Sequence, residues 1–520
     1  MQTRSAAPAA RSSPLHRQVP WLGAALLMLT GSVQAQDAAG RGLVLTPTFA
    51  AETGFYETRG RTVGENGREG IVRLSPGFRL DSRSGRVRGS MDYAGSLLYR
   101  AGRAESAGRE FQNTLSANFL AEAVTNLLYL DARASISQQA ISAFGQQSVS
   151  GSLQSNDNRT EVSTVSLTPY LRGSLGIMVD YEARVNVSAT DSRADGATNS
   201  QASGGALTLQ SPRSGAMFGW ALSATQQRVE YSSSTDAGTD NSQVSATVVF
   251  APGPDLRWSL SGGRESADDG VLAERREAST ASLGFQWTPS PRTSFSADVG
   301  ERYFGRTNRI AFSHRSARTI WSYALVRDTT TGADGLLFGQ PMTLFQLYYD
   351  QAASAYPDPA VREQVVLDQI AAQGQDPNQL VAPSFQTSSY SLQRRQDLSV
   401  VWLGRRTNMS LQAYTISQSQ IVTIGDADPL FGEPVRQHGY ASSVSYRLTP
   451  TTSVSAGGSR LMTYPTTTQA RTDLKSANLG LTSQLGRRTS GQLGARYTVF
   501  NSSTDPYRET SVTASLNLRF

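Results

Sequence analysis

The chain has 520 residues, of which 38% are hydrophobic, and a formal net charge of +6. So small a charge over this length gives little reason to expect a nucleic-acid partner. The absence of cysteine excludes disulfides, zinc–thiolate sites and cysteine nucleophiles.

The N-terminus predicts a secretory signal peptide. Three arginines precede a short apolar run over 21–29, and Val33-Gln34-Ala35 supplies a small-x-small cleavage site. The run is shorter than the roughly 20 residues that a transmembrane helix needs. We therefore expect residues 1–35 to be removed on export and residues 36–520 to form the mature protein.

From Gly42 onward the sequence repeats the period-2 pattern typical of β-strands. Between Ile177 and Ala189 every second residue is apolar, and the residues between them are mostly polar or charged. Successive strand side chains point to opposite faces, so each such run has one apolar and one polar face. The runs number about 22, within a range of roughly 18–22. No window of the mature chain is apolar for long enough to predict a transmembrane helix.

The connections between these runs alternate in length. Short turns rich in Gly, Pro, Ser and Arg are predicted at 82–85, 211–215, 252–255, 289–292, 404–407, 449–452 and 486–489, and longer polar loops at 140–158, 191–201, 231–239 and 267–277. Short periplasmic turns and longer outside loops are typical of outer-membrane barrels. The predicted fold class is therefore all-β, a transmembrane antiparallel up-and-down β-barrel in the outer membrane of a Gram-negative bacterium.

One region, residues 329–385, departs from this pattern and predicts a small insertion with two short helices in an extracellular loop. Its first segment has apolar residues at helical spacing, and Asp358-Pro359 opens the second as N-cap and first helical residue. Two interpretations remain open: a partial gate that folds over or into the barrel mouth, and an exposed loop. The candidate gate residues are Phe345, Tyr348, Tyr349, Val366, Leu367 and Ile370.

The last strand carries a localisation signal of its own. Apolar residues alternate with polar ones from Val512 onward, and the chain stops on an aromatic. A terminal Phe on such a strand is similar to the signal read by the outer-membrane assembly machinery, although an ordinary amphipathic strand is the simpler alternative. The candidate assembly signal is Leu516, Leu518 and Phe520.

Charged residues recur on the polar faces of the strands and are expected to face the lumen. They could form ion pairs that stiffen the wall, or line a channel that selects solutes by charge. Mixed signs along the same rows argue against strong selectivity. These candidates are Arg88, Asp92, Asp180, Glu182, Arg184, Asp298, Arg302 and Arg496.

Catalytic and metal-binding chemistry is not predicted. The two histidines of the mature chain, His314 and His438, are far apart on the strand map, and neither lies in a row with a matching serine and acid. The acidic pair Asp268-Asp269 lacks the ligand spacing of a calcium loop. No phosphate-binding glycine loop or histidine cluster occurs, so we expect no cofactor and no enzyme activity.

Four blocks of the sequence resemble the PEP-CTERM system-associated outer-membrane β-barrel family. They are Leu74–Arg100, Glu110–Gly145, Ala355–Gly374 and Ser391–Leu411, and the resemblance extends over most of the mature chain. It implies an outer-membrane barrel linked to exopolysaccharide and protein-sorting loci. The family offers no established activity or catalytic residues to carry over.

Two functions are consistent with this sequence. The first is a porin-like conduit for exopolysaccharide or related envelope cargo, and the second is a non-conducting barrel that docks envelope partners through its insertion. The expected partners are outer-membrane lipid and lipopolysaccharide, the assembly machinery and polysaccharide-export components. A receptor with an N-terminal plug domain is not expected, because alternation starts within about ten residues of the predicted cleavage site.

Overall fold

The computed structural model describes most of the chain from residue 42 onward. The described residues are 42–61, 66–83, 85–102, 108–149, 152–153, 156–194, 199–212, 216–232, 238–268, 276–330, 391–420, 434–465, 471–503 and 505–520, together with 345, 348, 349, 362, 366 and 370. The predicted signal peptide lies outside them, as does most of the predicted insertion.

Twenty-two strands account for nearly all of the described chain. They are β1 (Leu43–Arg59), β2 (Gly67–Arg83), β3 (Val87–Ala101), β4 (Gly108–Val124), β5 (Leu128–Ala140), β6 (Arg159–Leu175), β7 (Val179–Ser192), β8 (Ser200–Gln210), β9 (Phe218–Tyr231), β10 (Gly238–Gly253), β11 (Leu256–Asp268), β12 (Arg276–Ser290), β13 (Thr293–Arg302), β14 (Gly305–Arg315), β15 (Thr319–Thr330), β16 (Ser391–Leu403), β17 (Thr407–Gln420), β18 (Val435–Arg447), β19 (Thr452–Pro465), β20 (Thr472–Gln484), β21 (Thr489–Asn501) and β22 (Tyr507–Arg519).

The strands form one closed antiparallel barrel, which confirms the predicted fold class. Each strand pairs with its neighbours in the chain, and β1 pairs with β22 from Thr48 opposite Arg519 to Arg59 opposite Arg508. A closed sheet has no free edge, so every strand finds hydrogen-bond partners on both sides.

The two faces of the wall differ as the alternation predicts. On neighbouring strands β11 and β12, Leu260 lies opposite Leu283, and both are well exposed on the outer face. The adjacent pair, Ser261 opposite Ser282, faces the lumen. An apolar outer face and a polar inner face are what a barrel in lipid requires.

The strand connections define two ends of the barrel. The turn end carries the first residue of β1, the last residue of β22 and short turns such as 125–127 and 176–178; the loop end is the opposite one. Asn126 and Gly176 have φ values of 57° and 63°, so these tight turns use the left-handed region.

The alternation of short and long connections is not strict, which corrects the sequence interpretation at two places. At the turn end, β8 and β9 are separated by seven residues, as many as separate β7 from β8 at the loop end. At the loop end, β13 and β14 are joined by Tyr303 and Phe304 alone. The following Gly305 has a φ of 95°, a conformation that permits so tight a reversal. The rings of Tyr303 and Phe304 meet edge to face, 5.2 Å apart.

The assembly-signal residues lie on the outer face of β22. Leu516 and Leu518 pair with Ala51 and Phe49 of β1, and the Phe520 amide donates to the Pro47 carbonyl at 3.0 Å. The Phe520 ring is exposed on the outside of the barrel.

Deleting Phe520 is expected to remove most of the folded protein from the outer membrane, because the terminal aromatic and the last backbone bond of the closing seam are lost together. Heat-modifiable migration of outer-membrane fractions on gels measures folded barrel. Phe520→Tyr, which keeps an aromatic terminus, should assemble normally. Wild-type amounts of the truncated protein would show that the terminal residue is not a signal.

Candidate functional site: the barrel lumen

The inner wall of the barrel is rich in hydroxyl groups. Serine and threonine hydroxyls of adjacent strands hydrogen-bond to each other on the inner wall, with oxygen–oxygen distances of 2.6–2.8 Å. The pairs are Ser75–Ser96, Ser223–Ser245, Thr247–Ser261, Ser322–Ser399, Ser410–Ser443 and Ser459–Ser476. Each hydroxyl both donates and accepts, so the wall satisfies itself and can also bond to water. The lumen is therefore suited to hydrated contents.

The charged residues singled out from the sequence all occupy inward-facing strand positions, but they do not form one site. They are spread over β3 (Arg88, Asp92), β7 (Asp180, Glu182, Arg184), β13 (Asp298, Arg302) and β21 (Arg496).

Several of these side chains pair locally. Arg184 bonds to Glu182 at 2.6 Å, and Arg79 lies 3.7 Å from Asp92. Asp180 accepts a bond from Ser174 at 2.6 Å. Pairing of opposite charges along the wall agrees better with stiffening than with a selective lining.

A buried ion cluster lies on the inner wall at the loop end of β11, β13 and β15. Arg302 donates to both carboxylate oxygens of Glu265, whose side chain is 0% exposed, and to Asp328 at 2.6 Å. Arg309 lies 3.8 Å from the same Asp328. Sequence reasoning found Arg302 but missed Glu265, because no local pattern distinguishes a buried strand-end acid from a solvated one.

A second ion cluster, also missed from the sequence, lies at the loop end of β2, β3 and β4. Arg100 contacts Glu110 and lies 3.7 Å from Glu69, which is buried. The same guanidinium donates to the carbonyl of Leu153 at 3.0 Å. This last bond ties the wall to a segment inside the barrel.

The described residues of that segment between β5 and β6, which are 141–149, 152, 153 and 156–158, are named the inward loop. Leu153 is buried in a cluster with the inward-facing Tyr56, Ile71 and Leu98. Its amide lies 3.4 Å from the hydroxyl of Tyr56. The inward loop therefore packs against the inner wall of β1, β2 and β3.

The inward loop also contacts the strands on the other side of the β1–β22 seam. Val149 packs against a buried cluster made of Leu461, Leu474, Phe500 and Tyr507, which belong to β19, β20, β21 and β22. The Tyr507 hydroxyl donates to the Gln147 carbonyl at 2.7 Å. The inward loop thus lines the inner wall on both sides of the seam at the loop end and takes up part of the lumen there.

Described residues of the insertion lie inside the barrel as well. Tyr348, Val366 and Ile370 have helical backbone and are buried with Ile320 and Val401. Ile320 and Val401 lie directly opposite each other on β15 and β16 and face the lumen. We name these five residues the lumen anchor.

The structure describes two of the three other candidate gate residues, Phe345 and Tyr349. Phe345 and Tyr349 pack against the lumen anchor, with their rings stacked 5.3 Å apart. Arg362 places its guanidinium over the Tyr349 ring at 4.8 Å. Leu367 lies outside the described residues, so its prediction stays open.

The lumen anchor is at the turn end, far from where the insertion leaves the wall. β15 ends at Thr330 at the loop end, whereas Ile320 is the second residue of that strand. Roughly ten strand residues separate Ile320 from Thr330, which corresponds to a distance of about 33 Å along the strand. The described part of the insertion therefore extends back through the lumen.

In the described part of the chain, no helix is long and apolar enough to cross a membrane. The same residues contain no group of three or more His, Cys, Asp or Glu side chains arranged to hold a metal ion.

Comparison with known proteins gives similarity at the level of structure only. No family model and no curated protein sequence matches the chain. The FrpB iron transporter from Neisseria meningitidis (F5-1 variant) is 11% identical at a TM-score of 0.49, with 92% of this chain and 83% of that chain covered. The siderophore receptor PirA from Pseudomonas aeruginosa is 10% identical at a TM-score of 0.44, with 93% and 81% covered.

A third solved structure, the outer membrane protein opdK from Pseudomonas aeruginosa, is 10% identical at a TM-score of 0.34, with 92% of this chain and 99% of that chain covered. The strand pairing of the chain itself defines an outer-membrane-type β-barrel.

Proposed function

We propose that the chain forms a gated conduit through the outer membrane for exopolysaccharide or related envelope cargo. The observation that carries the proposal is a closed barrel of 22 strands whose inner wall is polar and whose lumen holds segments of its own loops. Barrels of about 16–18 strands already leave an aqueous channel, and wider ones need something to limit leakage.

The choice of cargo rests on two supports. The resemblance of four sequence blocks links the chain to exopolysaccharide loci. The hydroxyl pairs along the wall favour a hydrated polymer, since they can exchange hydrogen bonds with water and sugar hydroxyls at little cost.

Docking of partners through the insertion is the weaker alternative. Tyr348, Val366 and Ile370 are buried against the inner wall, so these side chains are not presented to the outside. A gate is the role that this placement supports.

Planar-bilayer recording of the refolded protein tests the conduit. We expect discrete conductance steps, because a wide barrel with a polar inner wall should pass ions. A barrel that inserts in heat-modifiable form yet gives no steps would favour the docking function and overturn the conduit.

Gene deletion tests the cargo separately. Loss of the conduit should lower the amount of secreted polysaccharide, and the wild-type gene supplied in trans should restore it. Normal export from the deletion strain would remove polysaccharide as the cargo, whatever the conductance.

A further inference from the structure

The rim of the barrel at the turn end carries charge of one sign over half its circumference. Residues 287–295, 312–321, 400–410, 444–455, 481–492 and 513–520, which form the turns and strand ends from β12 to β22, contain nine arginines and no aspartate or glutamate. We name these arginines the basic arc.

Six of the basic arc's arginines occupy the tips of four turns. They are Arg292 between β12 and β13, Arg318 between β14 and β15, Arg405 and Arg406 between β16 and β17, and Arg487 and Arg488 between β20 and β21. All six are exposed. They therefore extend toward whatever lies in front of the turn end.

A recurring backbone contact holds further arginines beside those in the turns. In each case the amide of a strand-end arginine donates to the carbonyl of a turn arginine in the neighbouring hairpin. The pairs are Arg315 to Arg292 at 2.8 Å, Arg447 to Arg406 at 2.7 Å and Arg519 to Arg488 at 2.9 Å. Like charges are thus kept side by side by the strand register.

The strand-end members of these pairs occupy lumen-facing positions. Arg315 lies opposite Ile320 of the lumen anchor, Arg447 opposite Ser453, and Arg519 opposite Thr48. The outer face at the same level carries aromatic rings instead, for example Trp321 and Tyr446. The basic arc is therefore directed at the mouth of the lumen and away from the lipid.

The basic arc also differs from the charges deeper in the barrel. Arg184, Arg302 and Arg395 each bond to an acidic side chain. Within the part of the chain that the structure describes, no arginine of the basic arc lies in an ion pair. An arc of one sign of charge along half of the mouth raises the local concentration of the opposite sign beside it and speeds its capture.

We propose that the basic arc makes the turn-end mouth a receiving site for anionic polymers. It would bind the carboxylate, sulfate or phosphate groups of a polysaccharide, which arginine contacts through two parallel N–H bonds. This inference rests on the proposed conduit and deepens it by naming the charge class of the cargo. Selection by charge then occurs at the mouth, while several charges of the wall are paired with one another.

One-sided block of single channels tests the inference. Dextran sulfate added to the turn-end side should block the conductance at concentrations at least tenfold lower than neutral dextran of the same length. The block should weaken strongly at about 1 M salt, where the Debye length falls to about 3 Å. When the two polymers are added to the loop-end side, their blocking concentrations should differ much less.

A matched pair of variants locates the effect. Replacing Arg405, Arg406, Arg487 and Arg488 by Gln should raise the blocking concentration of dextran sulfate at least tenfold. The control variant replaces four exposed arginines outside the basic arc by Gln and should leave the blocking concentration unchanged. These arginines are Arg228, Arg264, Arg306 and Arg436. Heat-modifiable migration establishes folding, and if the quadruple variant fails to fold, Arg405→Gln with Arg406→Gln alone should still raise the blocking concentration.

The outcomes separate the possible failures. Equal blocking concentrations for the two polymers, or for the two variants, would overturn the inference but would not contradict the proposed conduit. Loss of binding to phosphatidylglycerol vesicles in the arc variant, with polymer block unchanged, would make the basic arc a lipid site and also overturn it. No conductance in the wild type would overturn the conduit itself.

Discussion

Replacing Arg302 by alanine is expected to lower the free energy of unfolding by about 3–5 kcal/mol. Glu265 has a fully buried side chain, and Arg302 is the cation that bonds to both of its carboxylate oxygens. Removing the guanidinium leaves the buried carboxylate of Glu265 without its partner and removes one of the two arginines beside Asp328. Urea titration of the refolded protein in lipid vesicles, followed by tryptophan fluorescence, measures the loss.

The control is an ion pair of the same chemistry in a more solvated place. Arg184 and Glu182 also face the lumen, but their side chains are 47% and 37% exposed. Arg184→Ala should therefore cost less than about 1 kcal/mol. Adding Glu265→Gln to Arg302→Ala should recover part of the loss, because a neutral amide is cheaper to bury than a carboxylate. Similar losses for the two arginine variants would contradict this account.

Replacing Ile370 by aspartate is expected to open the conduit. Ile370 is 0% exposed and packs in the lumen anchor with Tyr348, Val366, Ile320 and Val401. A carboxylate cannot stay there without a partner, and a penalty of about 3 kcal/mol would already shift a two-state equilibrium more than about 100-fold. Planar-bilayer recording should show larger and longer-lived steps than in the wild type.

Val326→Asp is the matched control for this opening. Val326 also faces the lumen on β15, near Arg309 and away from the lumen anchor. The Val326→Asp variant places the same charge in the lumen without disturbing the lumen anchor, so the conductance of this variant should stay close to that of the wild type. Equal conductance of wild type and Ile370→Asp would remove the gate and leave the conduit as an ungated one.

The barrel itself could be predicted because its signal is local. A period-2 pattern identifies strands such as β7 and β22 from a dozen residues, and the short turns mark where the chain reverses. The strand count therefore followed from the sequence. The Tyr303-Phe304 reversal did not, since two aromatic residues within a polar stretch resemble a strand end as much as a turn.

The contents of the lumen could not be predicted in the same way. Val149 and Leu153 are isolated apolar residues in a polar loop, and their partners lie on β1–β3 and β19–β22. The sequence placed Tyr348 in the first predicted helix and Ile370 in the second, but nothing in their spacing specifies a wall position about 33 Å from the exit point. Glu265 shows the same limit, because its burial depends on Arg302 two strands away.

The pairing of β1 with β22 has a consequence for how the protein is made. All other strand pairs join neighbours in the chain and can form as local hairpins, whereas this seam joins residues near the two ends, such as Thr48 and Arg519. Pairings of such high contact order form slowly, and an open sheet exposes two rows of unpaired backbone groups that lipid cannot satisfy. We therefore expect the barrel to become stable in lipid in one late step, when β22 pairs with β1 and closes the sheet.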